Sequence, residues 1–285
     1  MGQIYIWRKR VGPEWLLRNN ELLTARFGQR LAIIEEAEHR FAILEVCCAH
    51  PSDTRRLQNE FGGSARKLPR NWQRQVLKAK PRKPIRVGDR LTIATSAFSR
   101  EEGTTLVIPA VTAFGTGEHV TTAMSLRALE RISRGLAAGW TLLDAGTGTG
   151  IFALAARSFG ATRAVGIDID PRAVATAKKN AQRNKIRGIH FYRCDVRKWR
   201  SRSRYDVVTA NLFSELLIEA LPTFVRELKP AGFLIFSGIM RAQEREVLQA
   251  LRHHRFHATE IRRRGKWIAL VARAKTWLTQ RSADS

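Results

Sequence analysis

Residues 141–156 read TLLDAGTGTGIFALAA. An apolar run typical of a buried strand ends at Asp144, glycines occupy every second position from 146 to 150, and helix-forming residues begin at Ile151. Glycines let the backbone turn sharply and approach a ligand closely. The dinucleotide-binding pattern G-x-G-x-x-G would require a glycine at position 151, so the spacing found here disfavours an NAD site. The stretch therefore predicts a strand, a ligand-binding loop and a helix of an α/β domain.

Further acidic residues lie at the ends of the next two strand candidates. The segment AVGIDIDPRA, residues 164–173, contains a strand that ends at Asp168, 18 residues beyond Gly150. A carboxylate at the carboxyl end of the second strand is well placed to hold ribose hydroxyls. Asp195 follows the third strand candidate. The glycine loop and these acidic strand ends together indicate a nucleoside cofactor.

Strands and helical stretches alternate regularly from Trp140 onward, which predicts a doubly wound α/β sheet. Five strand candidates are separated by helical stretches: 141–144, 164–168, 189–194, 205–210 and 233–237. Two more, 256–261 and 266–272, are joined by so short a connection that they predict an antiparallel hairpin at one edge. The expected architecture is therefore a seven-stranded sheet with a C-terminal antiparallel hairpin.

The first 68 residues predict a separate, small α+β domain. Strand and helix candidates follow the order β-α-β-β-α, with a last strand expected near residues 64–68. This is the split β-α-β plan of ferredoxin-like domains, which many unrelated functions share. Residues 69–98 are rich in Lys, Arg and Pro and are expected to form a linker. The second domain is expected over residues 99–285.

Composition limits the classes of protein to consider. The chain has 44% hydrophobic residues, enough for buried cores, and 50 Lys and Arg against 25 Asp and Glu give a net charge of +25. This surplus suits either a polyanionic neighbour such as RNA or a solvated basic surface. The three cysteines form no disulfide framework, and no run is long and apolar enough to span a membrane. A soluble cytoplasmic protein is therefore expected.

Four segments carry a family resemblance that is more specific than the glycine loop. They are VIPAVTAFGTGEHVTTAMSLRALE (107–130), AVGIDIDPRAVATAKKNAQRN (164–184), YDVVTANLF (205–213) and FLIFSGIM (233–240). Together they resemble the PrmA family, the class I S-adenosylmethionine-dependent methyltransferases of ribosomal protein L11, over about residues 71–272. The resemblance implies S-adenosylmethionine (SAM) as the cofactor and N-methylation of lysines or N-terminal amines of L11. Residues 1–68 lie where the family has its substrate-recognition domain.

The resemblance also implies a set of site residues. Thr122, Gly146, Asp168 and Asn211 would line the SAM site, and residues 114–116 would belong to a loop that covers it. The full set expected to bind the cofactor is Phe114, Gly115, Thr116, Thr122, Asp144, Gly146, Gly148, Gly150, Asp168, Ile169, Asp195 and Asn211. The cover loop departs from the family pattern, because it starts with Ile108-Pro109-Ala110 instead of an acidic residue and has Val120 in place of proline. These departures leave open a different substrate.

Two residues are candidates for the chemistry of methyl transfer. The amide of Asn211 can accept a hydrogen bond from an amine through its oxygen while its nitrogen donates elsewhere. Only about one lysine side chain in 10³ to 10⁴ is neutral at pH 7, so the nucleophilic amine must lose a proton. His119 is a candidate base, with Glu118 acting through water as an alternative and a purely orienting role also open for His119. No metal site is expected, because the histidines lack paired ligand spacing.

Two other classes of function remain open at this point. One is methylation of ribosomal RNA bases, although Asn211 lies in ANLF and not in the N-P-P-Y type of tetrapeptide that such enzymes often have. The other is a non-catalytic RNA-binding module on a methyltransferase fold. The basic clusters RKWRSRSR (197–204) and IRRRGK (261–266) are interpreted either as solvated surface or as contacts to ribosomal RNA.

Overall fold

The computed structural model describes residues 3–27, 30–35, 41–69, 84–96, 103–109 and 119–274. These residues belong to two compact units, a first unit within residues 1–80 and a second unit within residues 81–285. Among the described residues, no helix has the length and apolar character needed to cross a membrane.

The first unit is a four-stranded antiparallel sheet with two helices. Its elements are β1 (Tyr5–Val11), α1 (Pro13–Phe27), β2 (Leu31–Glu35), β3 (Ala42–Cys48), α2 (Pro51–Phe61) and β4 (Ser64–Lys67). The strand order is β2-β3-β1-β4, and each neighbouring pair is antiparallel. Trp7, Leu44 and Phe61 lie in its core. Buried and more exposed residues alternate along β3, as expected for a sheet with one covered face.

The second unit contains a seven-stranded sheet, a smaller sheet and five helices among its described residues. Its elements are β5 (Ile85–Val87), β6 (Leu91–Ala94), β7 (Thr104–Val107), α3 (Val120–Ser133), β8 (Thr141–Ala145), α4 (Ile151–Ser158), β9 (Arg163–Asp168), α5 (Pro171–Arg183), β10 (Ile189–Arg193), β11 (Tyr205–Asn211), α6 (Ser214–Glu227), β12 (Leu228–Met240), α7 (Glu244–His253), β13 (Phe256–Arg264) and β14 (Trp267–Ala274).

The order of strands in the large sheet is β10-β9-β8-β11-β12-β14-β13. The strands from β10 to β12 are parallel, β14 is antiparallel to β12, and β13 is antiparallel to β14. This arrangement confirms the predicted α/β sheet and its antiparallel hairpin at one edge.

Helices cover both faces of this sheet. Leu142 of β8 packs in a core with residues of α3, α4 and α5, whereas the next residue, Leu143, packs in an opposite core with residues of α6 and α7. Because side chains alternate along a strand, each central strand contributes to both cores. Burial on both faces explains the nearly continuous apolar runs from which these strands are predicted.

The small sheet, formed within residues 85–107, was not anticipated as a unit. Its strand β6 is antiparallel to β5 and parallel to β7. Leu91 and Leu106 are buried in the same core as α3, so these strands belong to the second unit. The strands β5 and β6 overlap the predicted linker over 69–98, because the three residues of β5 leave little signal beside a composition rich in Lys and Pro. Residues 70–83 of that linker lie outside the described residues.

Candidate active site

The polar residues expected to form a site gather at the carboxyl edge of the large sheet. Ala145, the last residue of β8, pairs with Ile167 of β9 on one side and with Ala210 of β11 on the other. Asp168 is the residue after Ile167 on β9, and Asn211 is the residue after Ala210 on β11. They flank the point at which the chain leaves β8 and enters the glycine loop.

The glycine loop, residues 146–150, turns sharply between β8 and α4. Gly146, Gly148 and Gly150 have φ angles of 73°, 52° and 80°, a region that residues with a Cβ rarely adopt. The amides of Gly146 and Thr147 both donate to the carbonyl of Ile167 at 2.9 Å. The loop is thereby anchored to the end of β9, and Gly150 forms the N-cap of α4.

Two of these glycines also lie where a side chain would not fit. A Cβ on Gly146 would collide with Leu212 Cδ2, and a Cβ on Gly150 would lie 3.0 Å from Ala177 Cβ and 3.1 Å from the Phe191 ring. The loop therefore packs against the residue after Asn211 on one side and against α5 and β10 on the other. A Cβ at Gly146 would require the Leu212 side chain to move, and a Cβ at Gly150 would crowd α5 and β10.

Asp144 is fully buried beneath the glycine loop. Its carboxylate accepts hydrogen bonds from Thr147 Oγ1 at 2.6 Å and from Thr209 Oγ1 at 3.0 Å. Burial raises the pKa of Asp144 to about 6, although these hydrogen bonds act in the opposite direction. The carboxyl group holds the loop from below through Thr147.

Asp168 links the glycine loop to the turn after β9. Its Oδ2 accepts a hydrogen bond from the Gly148 amide and its Oδ1 accepts one from the Asp170 amide, each at 3.0 Å. A carboxylate has about four acceptor positions, so hydroxyl groups of a ligand can still bind to it. The next residue, Ile169, exposes 63% of its surface and offers an apolar face for a planar base. This pair suits the ribose and base of a nucleoside.

Asp195 lies two residues beyond Arg193, the last residue of β10. Arg193 pairs with Asp168 of β9. The Asp195 carboxylate accepts hydrogen bonds from Arg197 Nη2 at 2.7 Å and from the Arg197 amide at 3.0 Å. Hydrogen bonds from Arg197 lower the pKa of Asp195 to about 2. Those from the Arg197 guanidinium have the largest effect, and the one from its backbone amide has the next largest. A ligand at this strand end would share an ionised carboxylate with Arg197.

Asn211 is oriented by a side chain from another element. Its Nδ2 donates to Thr122 Oγ1 of α3 at 3.3 Å, and Thr122 is buried. The amide oxygen is therefore the group that Asn211 presents as an acceptor. Gly238 lies beside it with a φ of 83°, and a Cβ there would lie 3.0 Å from Asn211 Oδ1 and 2.5 Å from the Leu212 carbonyl oxygen. Glycine at position 238 thus leaves room for the Asn211 amide.

A second buried contact joins the same helix to the sheet, and the sequence reasoning missed it. Ser125 Oγ of α3 donates to Ser237 Oγ of β12 at 2.8 Å, and both residues are buried. Ser237 pairs with Asn211 in the sheet, so α3 is hydrogen-bonded to two neighbouring strands. Ser237 and Thr209, which binds Asp144, are each a polar residue within an apolar strand. That pattern in the sequence could have identified both of them.

His119 immediately precedes α3. Its Nδ1 shares a hydrogen bond of 2.7 Å with Thr121 Oγ1, and its ring meets Trp267 edge-on with 5.2 Å between the ring centroids. Partial burial lowers the pKa of His119, so the ring is mostly neutral at pH 7. Nε2 has no hydrogen-bond partner among the residues that the structure describes. A neutral ring with one uncommitted nitrogen can accept a proton.

Part of the expected site lies outside the described residues. Phe114, Gly115 and Thr116 of the predicted cover loop belong to this part, as does Glu118. Within the described ranges, no group of three or more His, Cys, Asp or Glu residues is arranged to hold a metal ion. The described part of the site consists of the glycine loop, the strand-end residues Asp168, Asp195 and Asn211, and their supports.

The chain matches a family model described as ribosomal protein L11 methyltransferase (PrmA) over residues 43–275. The matched span begins in β3 of the first unit and includes the whole described site.

Curated relatives named ribosomal protein L11 methyltransferase are also similar to the chain. The protein from Chromohalobacter salexigens is 34% identical over 207 residues, which are 72% of this chain and 67% of the relative. The protein from Symbiobacterium thermophilum is 35% identical over 197 residues, which are 67% of this chain and 62% of the relative. The matched part of the chain thus spans 62% to 67% of the length of these relatives.

A solved structure shows the same fold. The crystal structure of the ribosomal protein L11 methylase from Lactobacillus delbrueckii subsp. bulgaricus superposes with a TM-score of 0.62 at 28% sequence identity. The match covers 68% of this chain and 99% of that chain.

Proposed function

Because the chain belongs to the ribosomal protein L11 methyltransferase (PrmA) family, we propose that it transfers methyl groups from SAM to lysine or N-terminal amines of ribosomal protein L11. The family match over residues 43–275 carries this proposal. The glycine loop, Asp168 and Asn211 at one sheet edge supply the groups that such a reaction needs. Ribosomal proteins are made in the cytoplasm, so we place the reaction there.

The residues at the sheet edge fit SAM. Gly146 and Gly150 let the loop backbone pack closely on Leu212, Ala177 and Phe191, which fixes the loop at the sheet edge where SAM would bind. Asp168 would accept hydrogen bonds from the ribose hydroxyls, and Ile169 would contact the adenine. SAM lacks a pyrophosphate, so the third glycine of the dinucleotide pattern is not required. When bound, SAM supplies an electrophilic methyl group on a positively charged sulfur.

We assign to Asn211 the positioning of the substrate amine. Its Nδ2 is held by Thr122, so Oδ1 can accept an N–H of the amine and direct the nitrogen lone pair. In-line transfer needs that nitrogen about 3 to 3.5 Å from the methyl carbon and little competing water. Phe213, two residues further, exposes 70% of its surface and offers an apolar contact for the methylene chain of a lysine.

The amine must lose a proton before it can attack. A positively charged sulfur nearby lowers the pKa of an amine, and desolvation acts in the same direction. His119 supports this step because its ring is mostly neutral at pH 7 and its Nε2 is uncommitted within the described part of the chain. We therefore propose His119 as the acceptor of the proton, while Asn211 holds the amine.

We propose that the first unit recognises L11. The strand order β2-β3-β1-β4 with helices after β1 and β3 supports the ferredoxin-like plan predicted for residues 1–68. A protein substrate offers a surface far larger than the one amine that reacts, so a recognition unit outside the catalytic sheet suits it. The connection between the units would then lie in the part of residues 69–98 before β5.

The net charge of +25 supports a further, negatively charged partner. Ribosomal RNA is the polyanion that an enzyme modifying a ribosomal protein encounters, so we propose RNA contact in addition to L11. Charge by itself does not locate that contact on the molecule.

Transfer of tritium-labelled methyl groups tests the proposed reaction. The full chain and labelled SAM are incubated with L11, with ribosomes and with ribosomal RNA, and labelled products are identified by mass spectrometry. We expect label on lysine or N-terminal amines of L11. Label confined to RNA would contradict the proposal and identify an RNA methyltransferase.

Replacing Asn211 tests its proposed role. Asn211→Ala removes the acceptor for the amine, so we expect kcat to fall by about 10-fold to 100-fold while the Kd for SAM changes by less than about 3-fold. Single-turnover methylation and calorimetry measure the two quantities. Asn211→Asp keeps an acceptor oxygen and should recover part of the turnover. Equal losses in kcat and SAM affinity would instead make Asn211 a cofactor-binding residue.

A further inference from the structure

The edge strand β10 carries exposed aromatic residues on one face. Phe191 points into a core, whereas His190 and Tyr192 on either side of it are exposed, Tyr192 by 47%. The His190 and Tyr192 rings are stacked with 6.4 Å between centroids and 22° between planes. Trp199 extends the row, 5.5 Å from Tyr192. Three aromatic rings thus lie side by side along the edge of the sheet.

The chain after β10 explains why His190 and Tyr192 are exposed, while Trp199 is partly buried. Each of the crossovers from β8 to β9, from β9 to β10 and from β11 to β12 contains a helix, but residues 194–204 between β10 and β11 are described and contain none. This connection packs against the α6 side of the sheet through Val196 and Trp199. A helix there would bury the face of β10, whereas the loop leaves Tyr192 accessible.

The same connection is strongly basic. Arg200, Arg202 and Arg204 are exposed, and none of them has an ion-pair partner among the described residues. Together with Arg226 they line a depression of about 250 Å³ that also includes Ser201, Ser203 and Glu227. Because no carboxylate neutralises the three arginines, the depression is positively charged.

Nearby acidic groups are already paired. Asp195 and Glu219 both bind Arg197, and Glu227 binds Arg226 with only 4% of its side chain exposed. Glu227 is thus neutralised, whereas Asp195 and Glu219 share one arginine and keep one net negative charge against the three arginines.

We propose that His190, Tyr192, Trp199, Arg200, Arg202 and Arg204 form a binding strip for single-stranded RNA. Aromatic faces stack on bases of any sequence, and arginines bind phosphates, which is the combination that single-strand binding requires. A duplex hides the faces of its bases, and an acidic protein segment would use the arginines without the stacked rings. The inference refines the proposed RNA contact and does not depend on methyl transfer to L11.

Binding of a fluorescent oligouridylate of about 12 nucleotides to the full chain tests the strip. Tyr192→Ala should weaken binding by about 10-fold, and Tyr192→Phe, which keeps the ring, should bind like the natural chain. The triple variant Arg200→Gln, Arg202→Gln, Arg204→Gln should lower the slope of log affinity against log salt by about 2, since each phosphate contact on a single strand contributes about 0.7.

A matched triple variant controls for net charge. Arg241, Arg245 and Arg252 are also exposed and line a different depression beside α7. Replacing these three with Gln removes the same charge and should change RNA affinity much less than the strip variant does. A duplex of the same length and polyglutamate should compete poorly for the strip.

The inference is overturned if the oligouridylate does not bind, if both triple variants lose affinity equally, or if polyglutamate competes as well as RNA. The last outcome would identify an acidic protein as the partner. Labelled methyl transfer to L11 is measured on the same variants and should be unchanged. Loss of RNA binding with intact methylation separates this inference from the proposed function.

Discussion

The three aspartates at the strand ends differ because their surroundings differ. Burial dominates at Asp144 and raises its pKa to about 6, whereas hydrogen bonds from Arg197 dominate at Asp195 and lower its pKa to about 2. Asp168 is partly exposed, and its carboxylate accepts hydrogen bonds from two backbone amides. The same residue type therefore supports the loop from below at Asp144 and faces the rim of the site at Asp168.

Replacing Asp168 should weaken SAM binding without unfolding the chain. Asp168→Asn removes the charge that would strengthen hydrogen bonds to the ribose, so we expect the Kd for SAM to rise by about 10-fold to 100-fold in calorimetry. Asp170→Asn is the matched control, because Asp170 caps α5 and asparagine caps equally well. Similar SAM affinities for the two variants would remove Asp168 from the cofactor site.

Asp144 should make stability depend on pH in a defined direction. Its folded-state pKa of about 6 lies above the ordinary 3.8, so the folded state holds the proton more tightly and the contribution of Asp144 to stability decreases as pH rises through this window. Relative to the natural chain, Asp144→Asn should therefore gain about 2 kcal/mol between about pH 4.5 and pH 7 in urea unfolding. A difference independent of pH would show that burial does not perturb Asp144.

At the scale of elements, the glycine loop and α3 hold the strand ends in register. The loop binds the β9 carbonyl at Ile167 and packs on Leu212, while α3 is joined to β11 through Thr122 and to β12 through Ser125. Removing one partner of such a buried hydrogen bond is costly, because the other polar group is left without a partner. The position of Asn211 thus depends on two elements that are distant from it in sequence.

Alanine substitutions at two glycines separate backbone strain from collision. Gly146 and Gly139 have similar φ angles of 73° and 86°, but a Cβ on Gly139 meets nothing within 4 Å, whereas one on Gly146 collides with Leu212. Gly139→Ala should cost about 1 kcal/mol in urea unfolding and keep SAM affinity. Gly146→Ala should cost more and reduce SAM affinity at least about 10-fold. Equal effects of both substitutions would show that Leu212 moves away freely.

Several elements could be predicted because their signals are local. The strands β8 and β9 are apolar runs that lead into the glycine loop and into Asp168, and the hairpin of β13 and β14 follows from its short connection. The strands β5 and β7 could not, because their three and four residues become strands only by pairing with β6. The same holds for Ser125 and Ser237, whose hydrogen bond joins residues 112 positions apart.

At the scale of the whole molecule, the two compact units divide the expected tasks. Every described site residue lies in the second unit, which contains the large sheet. The first unit has its own core around Trp7 and Leu44, so each unit can hold its structure with its own buried residues.

A chain that contains only residues 81–285 tests this division. We expect it to bind SAM with a Kd within about 3-fold of that of the full chain, because the glycine loop and its supports are retained. Methylation of L11 should fall by at least about 100-fold, because the proposed recognition unit is missing. Full activity of the shortened chain would show that the first unit does not recognise the substrate.

Local patterns were sufficient for the α/β class, the position of the main strands along the chain, the glycine loop and the acidic strand ends, because parallel strands bring their carboxyl ends to one edge wherever they pair. Long-range packing settled the rest. It placed Asp144 beneath the loop, bound the Asn211 nitrogen to Thr122, and left Tyr192 exposed. Burial and side-chain partners depend on residues far apart in the chain, so no local pattern encodes them.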